Sequence, residues 1–410
     1  QCTALTSFPA LDFSSGISFA SAWNGCTAMT SFNATGLDSG ADFSDAWNSC
    51  TSLTTFPAIP LTAGTVFNTT WYNCTSMTSF LATGLDSGTN FNWAWQSCRA
   101  LETFPAIPLT AGTTFTNTWQ SCTALTSFLA TGLDSGTNFT NAWYGCTALT
   151  TFPALDLSSG TNFTSAWKNC NNASFTSFPV ITFSTDASDD INFTTAWQSC
   201  TGLTSFPAVN LSRGTDFYKA WYGCSAMASF NATDLDSGGN FGYTWYGCTA
   251  LTSFPALDLS SGTSFFAAWY GCTALTSLPS ALDLSSGTSF GYSWFNCTAL
   301  TSFPALDLSS GTSFSNTWRS CTSLVSVSSG LDVSSGRDFA VSFYGCSALT
   351  TFPAGVFDDW NPASITANCF LEAWGGCADL TEQSVQNILH SIAASGQSAP
   401  SSGKEITIDS

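Results

Sequence analysis

Positive charge is the scarcest feature of this chain: seven Lys and Arg stand against 26 Asp and Glu in 410 residues, with a single histidine. The seven (Arg99, Lys168, Arg213, Lys219, Arg319, Arg337 and Lys404) are scattered. That argues against nucleic acid or an anionic membrane surface as partner, since both need clustered Lys and Arg. Charged residues of either sign make up only 8%, so the net charge of -19 reflects missing bases rather than acidic runs. The exterior must then be mostly Ser, Thr, Asn, Gly and Ala, a surface suited to meeting the outside world or carrying sugars, and a neutral or cationic partner remains open. No run of 18 apolar residues and no basic start followed by an apolar stretch is present, so neither a membrane span nor a signal peptide is visible. His390 has no Ser or Cys partner in a catalytic motif, every Gly reads as turn punctuation rather than a phosphate loop, and no Cys/His pattern supports zinc.

Aromatic residues and cysteine, by contrast, are abundant and periodic. Cys2, Cys26, Cys50, Cys74, Cys98, Cys122, Cys146 and Cys170 lie 24 residues apart, and Cys200, Cys224, Cys248, Cys272, Cys297, Cys321, Cys346 and Cys377 continue the series with small insertions. Only Cys369 is out of phase. Around nearly every in-phase cysteine the unit is F-x3-W-x2-C-x2-L-x2-F, as in Phe265, Trp269 and Cys272. Self-similarity of this kind marks a repeat architecture. In the first third, "FPAIPLTAG" alternates with "ATGLDSG" segments, giving a longer period of 48, and residues 171–193 carry a six-residue insertion expected to bulge on a loop edge.

Phe, Trp and Cys at i, i+4 and i+7 share one face of a short helix or 3-10 turn. The following "LTSFPALDL" suits a short strand that "SSG" then breaks. A 24-residue unit cannot bury its own apolar stripe, but stacked units place like side chains over one another, and fifteen rungs at about 4.8 Å would extend roughly 70 Å. The expected fold is therefore a repeat solenoid over residues 1–355, with one short parallel strand and one helical or 3-10 turn per rung. Residues 356–410 would close it with a last rung, a helix at about 381–395 and a strand at about 404–409. In that helix Thr381 is the expected N-cap, Val385, Ile388, Leu389 and Ile392 the apolar face, and Gly396 the stop.

The run "WYGCTALTSFPALDLSSGTSF" (245–265) resembles the BspA-like leucine-rich repeats, the short cysteine-containing repeats of bacterial and mycoplasma surface proteins that also occur in phage structural proteins. The core Cys248-x-x-Leu251-x-x-Phe254 is similar to that family's C-x-x-L-x-x-L, with Phe where Leu is usual. The resemblance covers residues 1 to about 355, and "ADLTEQSVQNIL" (378–389) is similar to the helix that often closes such arrays. It implies a leucine-rich-repeat-like fold and a surface protein for adhesion, with no cofactor and no catalytic residues to carry over.

Cysteines that recur once per rung read as buried thiols rather than a disulfide framework; Cys369 and Cys377 alone stand as a candidate bridge. The Trp ladder, sharing its face with Phe and Cys, reads as core. The residue after Trp instead faces water, as Asn24, Asn48, Gln96, Gln120, Lys168, Gln198 and Arg319 show, yet it is Tyr222, Tyr246, Tyr270 and Phe295 in four successive rungs. With Tyr218, Tyr243, Phe266 and Tyr292 nearby, this forms a candidate exposed aromatic strip for a partner or a sugar. Aspartates beside the Gly turns, among them Asp258, Asp283 and Asp307, most simply bond their own turn amides and are weak calcium candidates. Nothing distinguishes one carboxylate pair from another for hydrolysis, so the chain is read as no enzyme.

The leading function is thus a non-enzymatic extracellular or virion-surface protein whose solenoid face binds a protein or glycan on a cell surface. The alternative is a filament subunit joining copies end to end, because Cys2, Leu5 and Phe8 are core positions with no rung before them, an open sheet end able to pair with another chain's cap or "KEITIDS" strand. Ten Asn-x-Ser/Thr sites (Asn33, Asn68, Asn73, Asn138, Asn162, Asn172, Asn192, Asn210, Asn231 and Asn296) are candidates for glycans. A chain made in a glycosylating host is expected to exceed the polypeptide mass; an intact mass equal to the bare chain rules this out.

Overall fold

The computed structural model describes residues 2–361, 366 and 368–396, and the chain divides into two compact units, residues 1–203 and 204–410. The strand expected at 404–409 lies outside the described residues.

In both units the segment from Phe to Cys is a run of turns in which backbone amides alternate between two uses. For Phe43 to Cys50, the amides of Ala46, Asn48 and Cys50 bond to the carbonyls of Phe43, Asp45 and Trp47 three residues back, the 3-10 pattern. The amides of Phe43, Asp45, Trp47 and Ser49 bond instead to the carbonyls of Val66, Asn68, Thr70 and Tyr72 one rung on, at 2.8–3.0 Å. The remaining amide, that of Ser44, donates to Asp42 Oδ1 at 2.9 Å, so every amide in the segment is paired without a helix. Such tight turns need a residue with positive φ, and two per rung supply it: here Asp45 (φ 56°) and Ser49 (φ 59°). The position before Cys holds Gly or Asn, which reach this region at low cost, or the small Ser, while the earlier one accepts Thr69, Trp93, Lys219, Tyr243, Tyr292 and Val341.

Strand pairing beyond Leu is shorter than the sequence suggests. Thr55–Phe56 pairs in parallel with Ser79–Phe80, and Thr103–Phe104 with Ser127–Phe128, one rung apart. The amides of Leu81 and Leu129 then reach back to the carbonyls of Phe56 and Phe104. In the intervening rungs Pro57 and Pro105 occupy that donor position and have no N–H, so the ladder stops every second rung, which gives the 48-residue period a physical basis. The aromatic columns of unit 1 record the break. Phe56–Phe80 and Phe104–Phe128 lie 5.3 and 5.5 Å apart, but Phe32–Phe56 and Phe80–Phe104, across a proline, lie 6.3 and 6.2 Å apart. The indoles compensate in antiphase: Trp23–Trp47 and Trp71–Trp95 close to 5.0 Å, while Trp47–Trp71 and Trp95–Trp119 open to 5.9 Å.

Phe, Trp, Cys and Leu of each interior rung are fully buried. The thiols also bond: Cys74, Cys98, Cys122 and Cys146 each donate from Sγ to the carbonyl of the preceding rung's Trp at 3.1–3.2 Å. All seventeen cysteines are free, so Cys369 and Cys377 form no bridge. Cys377 is simply the in-phase thiol of the Phe370, Trp374 rung, donating to the carbonyl of Phe343 at 3.1 Å. Each unit is a repeat solenoid of leucine-rich-repeat-like rungs.

In unit 2 the helix Glu382–Ala394 starts at Thr381, whose hydroxyl accepts from the Ser384 amide, and ends at Ser395 and Gly396 (φ 68°). Its buried face differs from the expected one. Leu389 is 43% exposed, and Ser384, Ile388 and Ser391 are the buried residues. Rung amides that no further rung pairs need acceptors, and hydroxyls supply them: Phe352 donates to Ser384 Oγ at 2.9 Å and Phe357 to Ser391 Oγ at 2.7 Å. Asn387 Nδ2 in turn donates to the carbonyl of Phe352 at 2.9 Å.

Ser391→Ala is expected to destabilise unit 2 by about 1–3 kcal/mol in urea unfolding, because it strands the Phe357 amide. Trp245 is fully buried, its Nε1 has no acceptor, and it stacks on Trp269 at 5.1 Å. Trp245→Ala is therefore expected to cost about 3–5 kcal/mol by cavity formation. Trp245→Phe, which removes an unpaired donor, copies Phe343 in the same slot and leaves a smaller cavity, should cost clearly less than Trp245→Ala; equal losses for the two would refute this account of the column.

Candidate functional site

Because the backbone alternates direction through the turns, the residue after each buried Trp points outward, and in unit 2 it builds a straight aromatic lane. Tyr222 and Tyr246 stack at 4.6 Å, Tyr246 and Tyr270 at 4.4 Å, and Tyr270 and Phe295 at 4.6 Å, with ring planes within 9° of parallel. Tyr218, Tyr243, Phe266 and Tyr292 form a second lane of tilted or edge-on contacts at 5.3–5.8 Å. This lane zigzags because the aromatic residue sits alternately one and two places after the core Phe. Gly242 leaves the space that Tyr218 fills and Gly291 the space for Phe266; a Cβ on either would lie 3.3 Å from the ring. Tyr243–Tyr246 and Tyr292–Phe295 join the lanes at 5.9 and 5.8 Å.

All eight candidate aromatics are thus gathered on one edge of unit 2. They are half-buried rather than exposed, since each ring covers the next. Stacking occupies both faces of Tyr246 and Tyr270, which leaves ring edges and phenol oxygens toward solvent and no free face there for a sugar to stack on. Burial, with Tyr270 and Tyr222 as neighbours, pushes the Tyr246 phenol pKa up.

Cations bound the patch, which the sequence reading did not anticipate. Lys219 Nζ lies 5.0 Å from the ring centres of Tyr218 and Tyr243 and 5.6 Å from that of Tyr222. At the other end the Arg319 guanidinium sits 5.7 Å from Phe295 and 5.0 Å from Tyr344, so the straight lane continues through arginine to a further tyrosine. The signal was in the sequence: Arg319 and Tyr344 occupy the same outward position as Tyr222. In unit 1 that position holds Tyr72, and Tyr144 with Lys168 Nζ 5.8 Å from its ring.

The aspartates are exposed and bond their own turns. Asp258, Asp283 and Asp307 accept at Oδ1 from the amides of Ser260, Ser285 and Ser309 at 2.9–3.0 Å, and the Ser260 hydroxyl, with its amide, holds the Asp258 pKa below its ordinary value. No group of three or more His, Cys, Asp or Glu able to hold a metal ion gathers among the described residues. Of the sequon asparagines, Asn33, Asn210 and Asn231 are exposed and the other seven half-buried. Asn172 and Asn231 already use Nδ2 to donate to the carbonyls of Ala148 and Phe206. His390 is exposed on the helix. Among the described residues no helix is long and apolar enough to cross a membrane.

No family model matches the chain, and no curated protein does. Among solved structures it is similar to a leucine-rich repeat protein from Bacteroides ovatus, at 16% identity over 82% of this chain and 79% of that one, with a TM-score of 0.45. It is also similar to a leucine-rich cell surface protein from Faecalibacterium prausnitzii (16% identity, 93% and 89% covered, TM-score 0.35) and to an internalin from Listeria monocytogenes (13%, 70% and 81%, TM-score 0.25).

Burial raises the thiol pKa of Cys122, Cys170 and Cys272 from the ordinary 9.0 to about 12. Below pH 9.0 the thiols are protonated in both states and carry no pH dependence. Above it the unfolded chain releases protons that the folded chain keeps, so stability falls as pH rises toward 12, by about 1.4 kcal/mol per pH unit per thiol. Circular dichroism melts are expected to show steep alkaline destabilisation, reduced in Cys122→Ala relative to its own stability at pH 7; a profile unchanged by the substitution would contradict it.

Proposed function

We propose that this chain is a non-enzymatic extracellular or virion-surface recognition protein, and that the two-lane aromatic patch of unit 2 is its contact surface for a protein partner. The observation that carries this reading is the concentration of eight aromatic rings on one outward edge of four successive rungs. The same positions in other rungs mostly hold Asn, Gln, Ser and Thr, with aromatics only singly as at Tyr72, Trp93 and Tyr144, so the fold does not require a continuous aromatic row. Tyr243 and Tyr292 moreover sit at φ 57° and 61°, conformations that cost about 1–2 kcal/mol for such side chains. Tyrosine edges and hydroxyls between two cations suit a protein surface, where Tyr and Arg concentrate binding energy. Stacked ring faces disfavour a sugar platform. A weakly charged exterior of Ser, Thr, Asn and Gly supports the extracellular placement.

The test is adhesion of the purified chain to intact cells and to cell-surface protein extracts, beside a glycan array, with a Tyr222→Ala, Tyr246→Ala, Tyr270→Ala variant in parallel. Rings of this kind each cost about 2 kcal/mol or more when truncated at an interface centre, so the variant is expected to lose protein binding by at least an order of magnitude while keeping its circular dichroism spectrum. Undiminished binding by the folded variant overturns the assignment. A particle mass that grows with concentration and is insensitive to these substitutions would favour end-to-end assembly instead.

A further inference from the structure

Tyrosine is sparse in this chain, nine in 410 residues, yet six of the nine fall within residues 217–295. Three of those are stacked face to face in consecutive rungs, Tyr222 on Tyr246 at 4.6 Å and 6°, and Tyr246 on Tyr270 at 4.4 Å and 9°. Their edges meet solvent. Better reductants nearby are withheld from it: Cys224, Cys248 and Cys272 and the indoles of Trp221, Trp245 and Trp269 are fully buried. Phe295 continues the stack but has no phenolic hydrogen to lose, so the row ends there.

We propose that Tyr222, Tyr246 and Tyr270 form an oxidative cross-linking site, at which a peroxidase using hydrogen peroxide joins adjacent rungs through a carbon–carbon bond between tyrosine rings. Each of two phenols gives one electron and one proton to the oxidised haem of the enzyme. The two phenoxyl radicals couple at carbons ortho to oxygen, and each ring regains its O–H as the ortho hydrogen shifts to it. The chain loses two hydrogens, and one peroxide is reduced to two waters. The rings are already as close as directly bonded aryl rings stand, and coupling requires two half-exposed rings to tilt out of the parallel stack. Tyr246 is shared by both pairs, so each chain forms one such link. The link needs no binding partner, so it stands apart from the recognition reading.

The test treats dilute, folded, full-length chain with hydrogen peroxide and a haem peroxidase, reading dityrosine fluorescence, intact mass and cross-linked peptides. The expected product is two hydrogens lighter than the chain, maps to Tyr222–Tyr246 or Tyr246–Tyr270, and forms in a yield independent of dilution. Tyr222→Phe or Tyr270→Phe should roughly halve the initial rate of coupling and direct the single link to the pair that remains. Tyr246→Phe should abolish it, and Tyr144→Phe, without a stacked tyrosine neighbour, should leave it unchanged. Phe is native to this lane at position 295, so these variants keep the fold. Cross-links that fall with dilution and map between chains, oxidation without coupling, or full yield from Tyr246→Phe would overturn the proposal.

Discussion

One hydrogen bond supports everything else: the amide that, at every second residue between Phe and Cys, reaches a carbonyl one rung on. It ties rungs together at about the spacing of neighbouring strands, and it leaves the other amides to close three-residue turns. The demand this makes on the backbone, two left-handed residues per rung, fixes which side chains point in and which point out. Buried Trp and outward Tyr are therefore neighbours in sequence. Spacing set by these bonds also puts the columns of Phe, Trp and Cys into contact, so burial is a product of hydrogen bonding as much as its cause.

The proline rungs show the two sides of a rung behaving differently. On the Phe-to-Cys side the bonds run through every rung. Just after Phe56 and Phe104 they run through every other one, and the Phe and Trp columns of unit 1 widen and narrow in antiphase by about the same amount. A local loss of donors is absorbed as a small alternating wedge instead of a cavity, which is how a well-packed interior accommodates a missing interaction.

Much of this was legible in the sequence because a strict period leaves few alternatives. Phe265, Trp269 and Cys272 announced a shared buried face, and Thr381 announced the start of the closing helix. What stayed hidden depended on neighbours that spacing alone does not supply. Leu389 looks apolar enough to be buried, but the rung beneath the helix presents unpaired amides, so Ser384 and Ser391 take the inner face. Tyr218 and Tyr243 look offset and unrelated until the positive φ at Lys219 and Tyr243 and the absent side chain at Gly242 bring them together. The cations at Lys219 and Arg319 were visible as letters, but their seats over aromatic rings follow from one rung lying on the next.

Identical aromatic side chains stacked in register, with parallel backbones tied by hydrogen bonds, is also the arrangement of cross-β fibrils. Here one chain adopts it within itself. The prolines at positions 57 and 105 interrupt that arrangement on one side only: the pairing beside Phe56 and Phe104 is held to two rungs, while the parallel bridges from Ser18 through Asp42, Val66, Asn90, Thr114 and Asn138 to Asn162 run on without a break. The chain thus carries fibril-like pairing along one side of its rungs and breaks it along the other.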